Sequence, residues 1–174
     1  VAQAGSFEGY VAAAGGSAET MAAMLGAIAS FRDEQAYKGH VIPFYKRAQI
    51  AAADLHLAFA RTAGGAGRPL FNDLDRLTMF ADNGVPHVLF VDGVLTYSPD
   101  LAARIAAGTP IAAGGEEEIE LRACAGHAVE LIVAFKNKAG APLRAVDIDH
   151  ILWHRSVEEP RYRNSEPHRT RTIF

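Results

Sequence analysis

The sequence predicts an all-α fold, a compact array of several helices. Three observations carry it: apolar residues recur at helical spacing in successive segments, capping residues stand where those segments begin, and no alternating run is long enough for a convincing sheet. With 174 residues, the chain is the size of one domain able to bury its own core, so a single helical domain over 1–174 is expected.

The first helix is expected over Ala18 to Phe31, where Met21, Met24, Leu25 and Ile28 form a stripe and Ser17 is the N-cap. Pro43 should open a longer helix reaching about Arg61, with Phe44, Ile50, Leu55 and Phe59 on one face and Gly64, Gly65 and Gly67 ending it. Short helices follow at about Asp73 to Met79 and Val85 to Val91. Between them, Asp82-Asn83-Gly84 contains an Asn-Gly pair that favours a tight turn with positive φ.

Ser98 caps and Pro99 starts a helix to about Ala107. Glu116, Glu117 and Glu118 begin the clearest helix and Lys136 and Lys138 end it, matching acids and bases to the helix dipole. A last helix runs from about Leu143 to Val157 and carries Ile148, Ile151, Leu152 and Trp153.

Lys and Arg number 17 against 20 Asp and Glu, for a net charge of -3, which offers no overall basic field to nucleic acid; no stable nucleic-acid complex is expected. Arginines 155, 161, 163, 169 and 171, with Arg144 upstream, make a local cationic surface, either a solvated tail or a phosphate site. The single cysteine, Cys124, excludes an internal disulfide and fits a reducing, cytoplasmic setting. No apolar run approaches the roughly 20 residues of a membrane span, so no membrane partner is expected.

The seven histidines, His40, His56, His87, His127, His150, His154 and His168, form no HExxH or finger pattern, and His150 with His154 lacks a third ligand in sequence. Neither metal nor cofactor is expected. Cys124 and His127, three apart, fit packing better than a nucleophile and base.

One charge stands in an odd place. Asp82 follows Leu77, Met79, Phe80 and Ala81 and precedes Val85, Pro86, Val88 and Leu89, so its carboxylate either escapes at the turn or is desolvated and paired. An acid held in that way is a candidate nucleophile. Lys46 lies beside Tyr45 and Arg47 in a half-apolar helix, where a lysine usually reaches for solvent. Asp149, between Ile148 and Ile151, either faces inward or pairs with a tail arginine.

PFYKRAQIAAADL (43–55), LTMFAD (77–82) followed by Val85-Pro86, YSPDLAARI (97–105), EEEIELRAC (116–124), DHILW (149–153) and PHRTRTIF (167–174) together resemble the successive motifs of the queuosine salvage proteins. The resemblance implies hydrolysis of the N-glycosidic bond of queuosine 5′-monophosphate, a small-molecule substrate, with release of queuine for tRNA modification. It also implies a fold similar to helix-hairpin-helix DNA glycosylases. The aspartate of the TMFAD motif, which acts at the anomeric carbon, falls on Asp82; the lysine of FYKRAQ falls on Lys46. The chemistry agrees, because a carboxylate can stabilise or trap the oxocarbenium character that develops on the ribose. Arg47 and Lys46 suit the phosphate, Asp149 the donor edge of the base, and Tyr45, Phe80 and Trp153 its faces. His168, in the PHRTR motif, completes the candidate substrate-binding set.

The chain departs from the family pattern at Asn83 and Gly84, where an aromatic and a basic residue are expected, and at His56, His127 and His150, where larger, apolar aromatic rings are expected. The resemblance implies that residues 1–174 correspond to the larger, C-terminal part of the family, and the family's N-terminal portion, with its Gly-Tyr-Trp motif, is expected to be absent. If that portion closes the pocket, this chain binds weakly, prefers another nucleotide, or needs a partner chain. A glycosidase for another modified nucleotide or for DNA, and a non-catalytic nucleotide-binding module, are the remaining readings.

Overall fold

The computed structural model describes residues 5–62 and 69–170. Among these, the chain forms eight helices and one two-stranded hairpin: α1 Phe7–Ala13, α2 Ala18–Gly26, β1 Glu34–Tyr37, β2 His40–Pro43, α3 Lys46–Thr62, α4 Gly84–Val91, α5 Pro99–Ala106, α6 Glu116–Lys138, α7 Ala145–Glu158 and α8 Pro160–Arg163. No helix among the described residues is long and apolar enough to cross a membrane. Ser17 and Ser98 cap their helices as expected, accepting from the amides of Thr20 and Leu101.

Two buried clusters organise the molecule. One joins α1, α2 and α3 through Tyr10, Met21, Leu25, Ala48 and Ala52, with Phe71, Leu74 and Leu77. The other joins α4, α6 and α7 through Val85, Val88, Ile119, Ala125, Val129, Ile148 and Leu152, with Met79 and Ala81. The segment from Leu77 to Asp82 therefore passes from the first cluster to the second. Its buried apolar side chains fix its path.

Several expectations are corrected. A hairpin is present: Glu34 to Tyr37 pairs antiparallel with Pro43 to His40, and Lys38 (φ 46°) and Gly39 (φ 83°) form the two-residue turn. Its strands are largely exposed and carry no alternating apolar pattern, so periodicity gave no signal. Pro43 closes β2 instead of opening α3, which begins at Lys46 after Tyr45 in a left-handed conformation (φ 49°). Asp33 organises this start: its carbonyl accepts from the amides of Phe44 and Tyr45, and its carboxylate accepts from the amide of Lys46.

The helix expected over 73–79 shrinks to a 3-10 turn, Leu74–Arg76. Beyond it, side chains replace the helical hydrogen-bond partners: Thr78 N donates to Gln49 Oε1 at 2.8 Å and Phe80 N to Asp149 Oδ1 at 2.8 Å. Asn83 and Gly84 make no positive-φ turn; Asn83 (φ -98°) is the residue before α4 and Gly84 is its first. Helices α1 and α8 were not expected, being too short to show a period. Helix α2 stops at Gly26, where a Cβ would lie 2.7 Å from the Tyr45 ring. The glycines 64, 65 and 67 lie outside the described residues.

Candidate active site

Asp82 sits at the start of α4 and is only 6 % exposed. Its Oδ1 accepts hydrogen bonds from Gly84 N (2.9 Å) and Val85 N (3.0 Å), two amides that the helix itself leaves unpaired. The positive end of α4 thus faces the carboxylate. Oδ2 points instead to Lys46, whose Nζ lies 3.9 Å away at the start of α3. One oxygen is immobilised and the other faces a cation.

Gly84 is explained by this geometry. A Cβ there would approach Ser156 Oγ of α7 to 3.1 Å and Asp82 Oδ1 to 3.6 Å, so α7 packs close enough to disfavour a larger residue beside the carboxylate.

Asp149, on α7, is 5 % exposed. Burial pushes its carboxyl up to about 7, reinforced by the charge of Asp82 and opposed by the Phe80 amide and by Lys46. Among the described residues no arginine pairs with it, so of the two readings left open the inward-facing one holds. Lys46, Asp82 and Asp149, from three separate segments, come together.

Behind them lies a charged pair that the sequence reading did not single out. Arg122 of α6 is completely buried; its Nε donates to Ala81 O at 2.9 Å, and its two terminal nitrogens donate to Asp33 at 2.9 and 2.5 Å. Gln49, also buried, donates to Phe44 O and Thr78 Oγ1 at 2.9 Å each. Both lie inside motifs that carry the family resemblance. A polar residue among buried neighbours, Gln49 after Ala48 and Arg122 after Leu121, is the signal that could have found them.

The other candidate residues are placed differently. The Tyr45 hydroxyl donates to Glu34 while its ring covers Gly26. Phe80 gives its amide to Asp149, and its residue also lines a cavity of about 510 Å³ with Leu57, Arg144, His150 and Ile151 between α3 and α7. Arg47 is half-buried and makes no ion pair among the described residues. Trp153 is exposed, one turn beyond Asp149 on α7, and meets His154 edge to face.

His168 is buried with no hydrogen-bond partner on either ring nitrogen among the described residues, while its carbonyl accepts from Asn83 Nδ2. Burial, with Arg122 and His87 nearby, pushes its imidazole down to about 4. The C-terminal arginines are engaged locally: Arg155 and Arg161 with Asp92, Arg169 with Glu166, and Arg144 with Asp147. Arg171 lies outside the described residues. Cys124 is exposed, so its expected packing role is corrected. Among the described residues no three of His, Cys, Asp and Glu are grouped as a metal ion would require.

The chain is similar to known proteins over nearly its whole length. The family model described as "Queuosine salvage protein" matches residues 2–174. A Sphaerobacter thermophilus protein named queuosine 5′-phosphate N-glycosylase/hydrolase is 42% identical over 173 residues, covering 98% of this chain and 52% of that protein. Proteins of the same name from Dictyostelium discoideum (42% over 144 residues, 83% of this chain and 43% of theirs) and Mus musculus (34% over 179, 98% and 52%) are also similar. The chain spans about half the length of the curated relatives it matches. On this similarity, the chain belongs to the queuosine salvage protein family.

Proposed function

We propose that this chain carries the catalytic centre of a queuosine 5′-phosphate N-glycosylase, which hydrolyses the bond between ribose and base and releases queuine. The observation that carries the reading is the division of labour within Asp82: Oδ1 is pinned by Gly84 and Val85, and Oδ2 is left facing Lys46 at 3.9 Å. As the bond to the base breaks, positive charge develops on the ribose ring. Oδ2 stabilises that charge or bonds to the anomeric carbon; water then adds there, breaking any bond to Oδ2, and the proton it gives up balances the one that the departing base takes up.

Lys46, 3.9 Å from Oδ2, keeps the carboxylate oriented, and in this reading its ammonium also meets the ribose 5′-phosphate. Asp149, with a carboxyl titrating at about 7, can hold a proton or accept one at neutral pH, which suits hydrogen bonding to a leaving base. Arg47 belongs to the phosphate side of this reading, and Phe80 and Trp153 to the base side, as walls. Tyr45 and His168 enter it as supports, through the contacts already described. A helical array similar to helix-hairpin-helix DNA glycosylases, a single domain, and a cytoplasmic setting complete the proposal. They are supported by the predominance of helices and by the exposed lone Cys124.

The test is mass-spectrometric detection of free queuine after incubation with queuosine 5′-phosphate, beside Asp82→Asn. Release by the parent chain alone is expected. Equal release by both would remove Asp82 from the chemistry, and none by a folded parent would overturn the assignment of the complete reaction to this chain.

A further inference from the structure

The side chains of Lys46 and Asp82 come from segments 36 residues apart, and nothing in either segment alone sets their separation. The Asp33–Arg122 pair does connect them. Asp33 Oδ2 accepts from Lys46 N at 3.2 Å and from an Arg122 terminal nitrogen at 2.5 Å; Arg122 Nε then donates to Ala81 O, the carbonyl of the peptide that leads into Asp82. Lys46 is held by its own amide, and Asp82 by the peptide carbonyl that precedes it, to the same buried ion pair.

We propose that Arg122 is a positioning residue for glycoside cleavage: clamped by Asp33, its guanidinium ties the backbone of Lys46 to that of Asp82 and sets the distance between their side chains. The inference rests on the catalytic reading given above.

The surroundings of Arg122 suit that role. The Phe44 ring lies 3.9 Å from the guanidinium carbon, and Glu118 Oε1, also buried, is 3.7 Å from a terminal nitrogen, so the plane of the fork is fixed on several sides. A buried ion pair is a costly way to gain stability, and apolar residues of similar size often serve as well. A device that must address two backbones in defined directions has no apolar substitute. Lysine does not replace it either, because one ammonium cannot present three donors in the plane that Asp33 and Ala81 require.

A purely stabilising role and a positioning role differ in their kinetics. The experiment compares queuine release and thermal unfolding for the parent chain, Arg122→Lys, Asp33→Asn, Lys46→Met and the Arg122→Lys/Lys46→Met double variant. Arg122→Lys is expected to lower kcat at least about tenfold while KM changes less than about threefold. Asp33→Asn should do the same, both variants unfolding cooperatively. In the Lys46→Met background the Arg122→Lys loss should shrink below about threefold, since the distance it controls no longer matters.

Unchanged kcat per folded molecule, or the same loss in both backgrounds, would overturn the positioning role while leaving the catalytic reading intact. If Arg122→Lys does not fold, Asp33→Asn carries the comparison, and failure of both to fold would mark the pair as structural and overturn the proposal. No release by the folded parent would instead overturn the catalytic reading, and this inference with it.

Discussion

Asp149 Oδ1 receives a 2.8 Å hydrogen bond from the backbone amide of Phe80, two residues before Asp82. One carboxyl therefore braces the segment that delivers the candidate nucleophile and stands beside it. Gln49 of α3 and Arg122 of α6 brace the same segment at Thr78 and Ala81. Three helices thus supply by side chain the hydrogen bonds that a strand or helix would have supplied by backbone.

Asp82→Asn should reduce queuine release on the order of 10³-fold or more, since the proposed nucleophile loses its charge. The fold should change little, because the amide oxygen can still accept from Gly84 and Val85. Asp82→Ala, which removes that acceptor as well, should cost about 1 kcal/mol more in stability. Urea unfolding beside the release assay checks both statements, and equal stability of the two variants would contradict the capping role.

Lys46→Met should weaken turnover of the 5′-phosphate substrate about 10- to 100-fold, and that of the free nucleoside less, if the ammonium meets the phosphate as well as Asp82. The ratio of kcat/KM for the two substrates measures this. Equal losses would confine Lys46 to its pairing with Asp82.

Asp149 titrates near 7 in the fold against a normal value of 3.8, so between those values the folded chain holds a proton that the unfolded chain releases. Stability from this group is therefore full at low pH and lost as pH rises through about 4 to 7, by at most about 4 kcal/mol. Asp149→Asn keeps an acceptor for the Phe80 amide and should flatten that part of the stability profile. An unchanged profile would argue against the burial of the carboxyl as its cause.

His168 has the opposite sign. Its imidazole titrates at about 4 in the fold and 6.5 normally, so the unfolded chain binds the extra proton and stability falls as pH drops from about 6.5 to 4, by at most about 3 kcal/mol. His168→Leu should remove that acid sensitivity without leaving a hydrogen bond unmade, because neither ring nitrogen has a partner among the described residues. Thermal unfolding between pH 4 and 7 decides; retained acid sensitivity would mean that His168 is not its source.

Gln49→Leu should destabilise the chain by about 1 to 3 kcal/mol, because the Thr78 amide loses its buried acceptor. A change below about 0.5 kcal/mol in urea unfolding would mean that the segment relaxes to satisfy it.

The sequence by itself determined the helices with long periods or strong end signals: α6 with its acidic start and basic end, α5 with Ser98 and Pro99, α7, and the course of α3 after its first turn. It also marked Asp82 and Asp149, because a charge among apolar neighbours is visible in one dimension, while the family resemblance marked Asp82 and Lys46. These signals are local, and local interactions produce them.

Only the tertiary structure decided the rest. The hairpin at 34–43 is largely exposed and its residues form no alternating apolar pattern. The segment from 77 to 82 has the composition of a helix but hydrogen-bonds to Gln49, Asp149 and Arg122, which are distant in sequence. The same holds for the site. Which residues carry charge can be read along the chain, but the 3.9 Å between Lys46 and Asp82 depends on partners from Asp33 to Arg122, and non-local contacts of that kind have no local pattern to announce them.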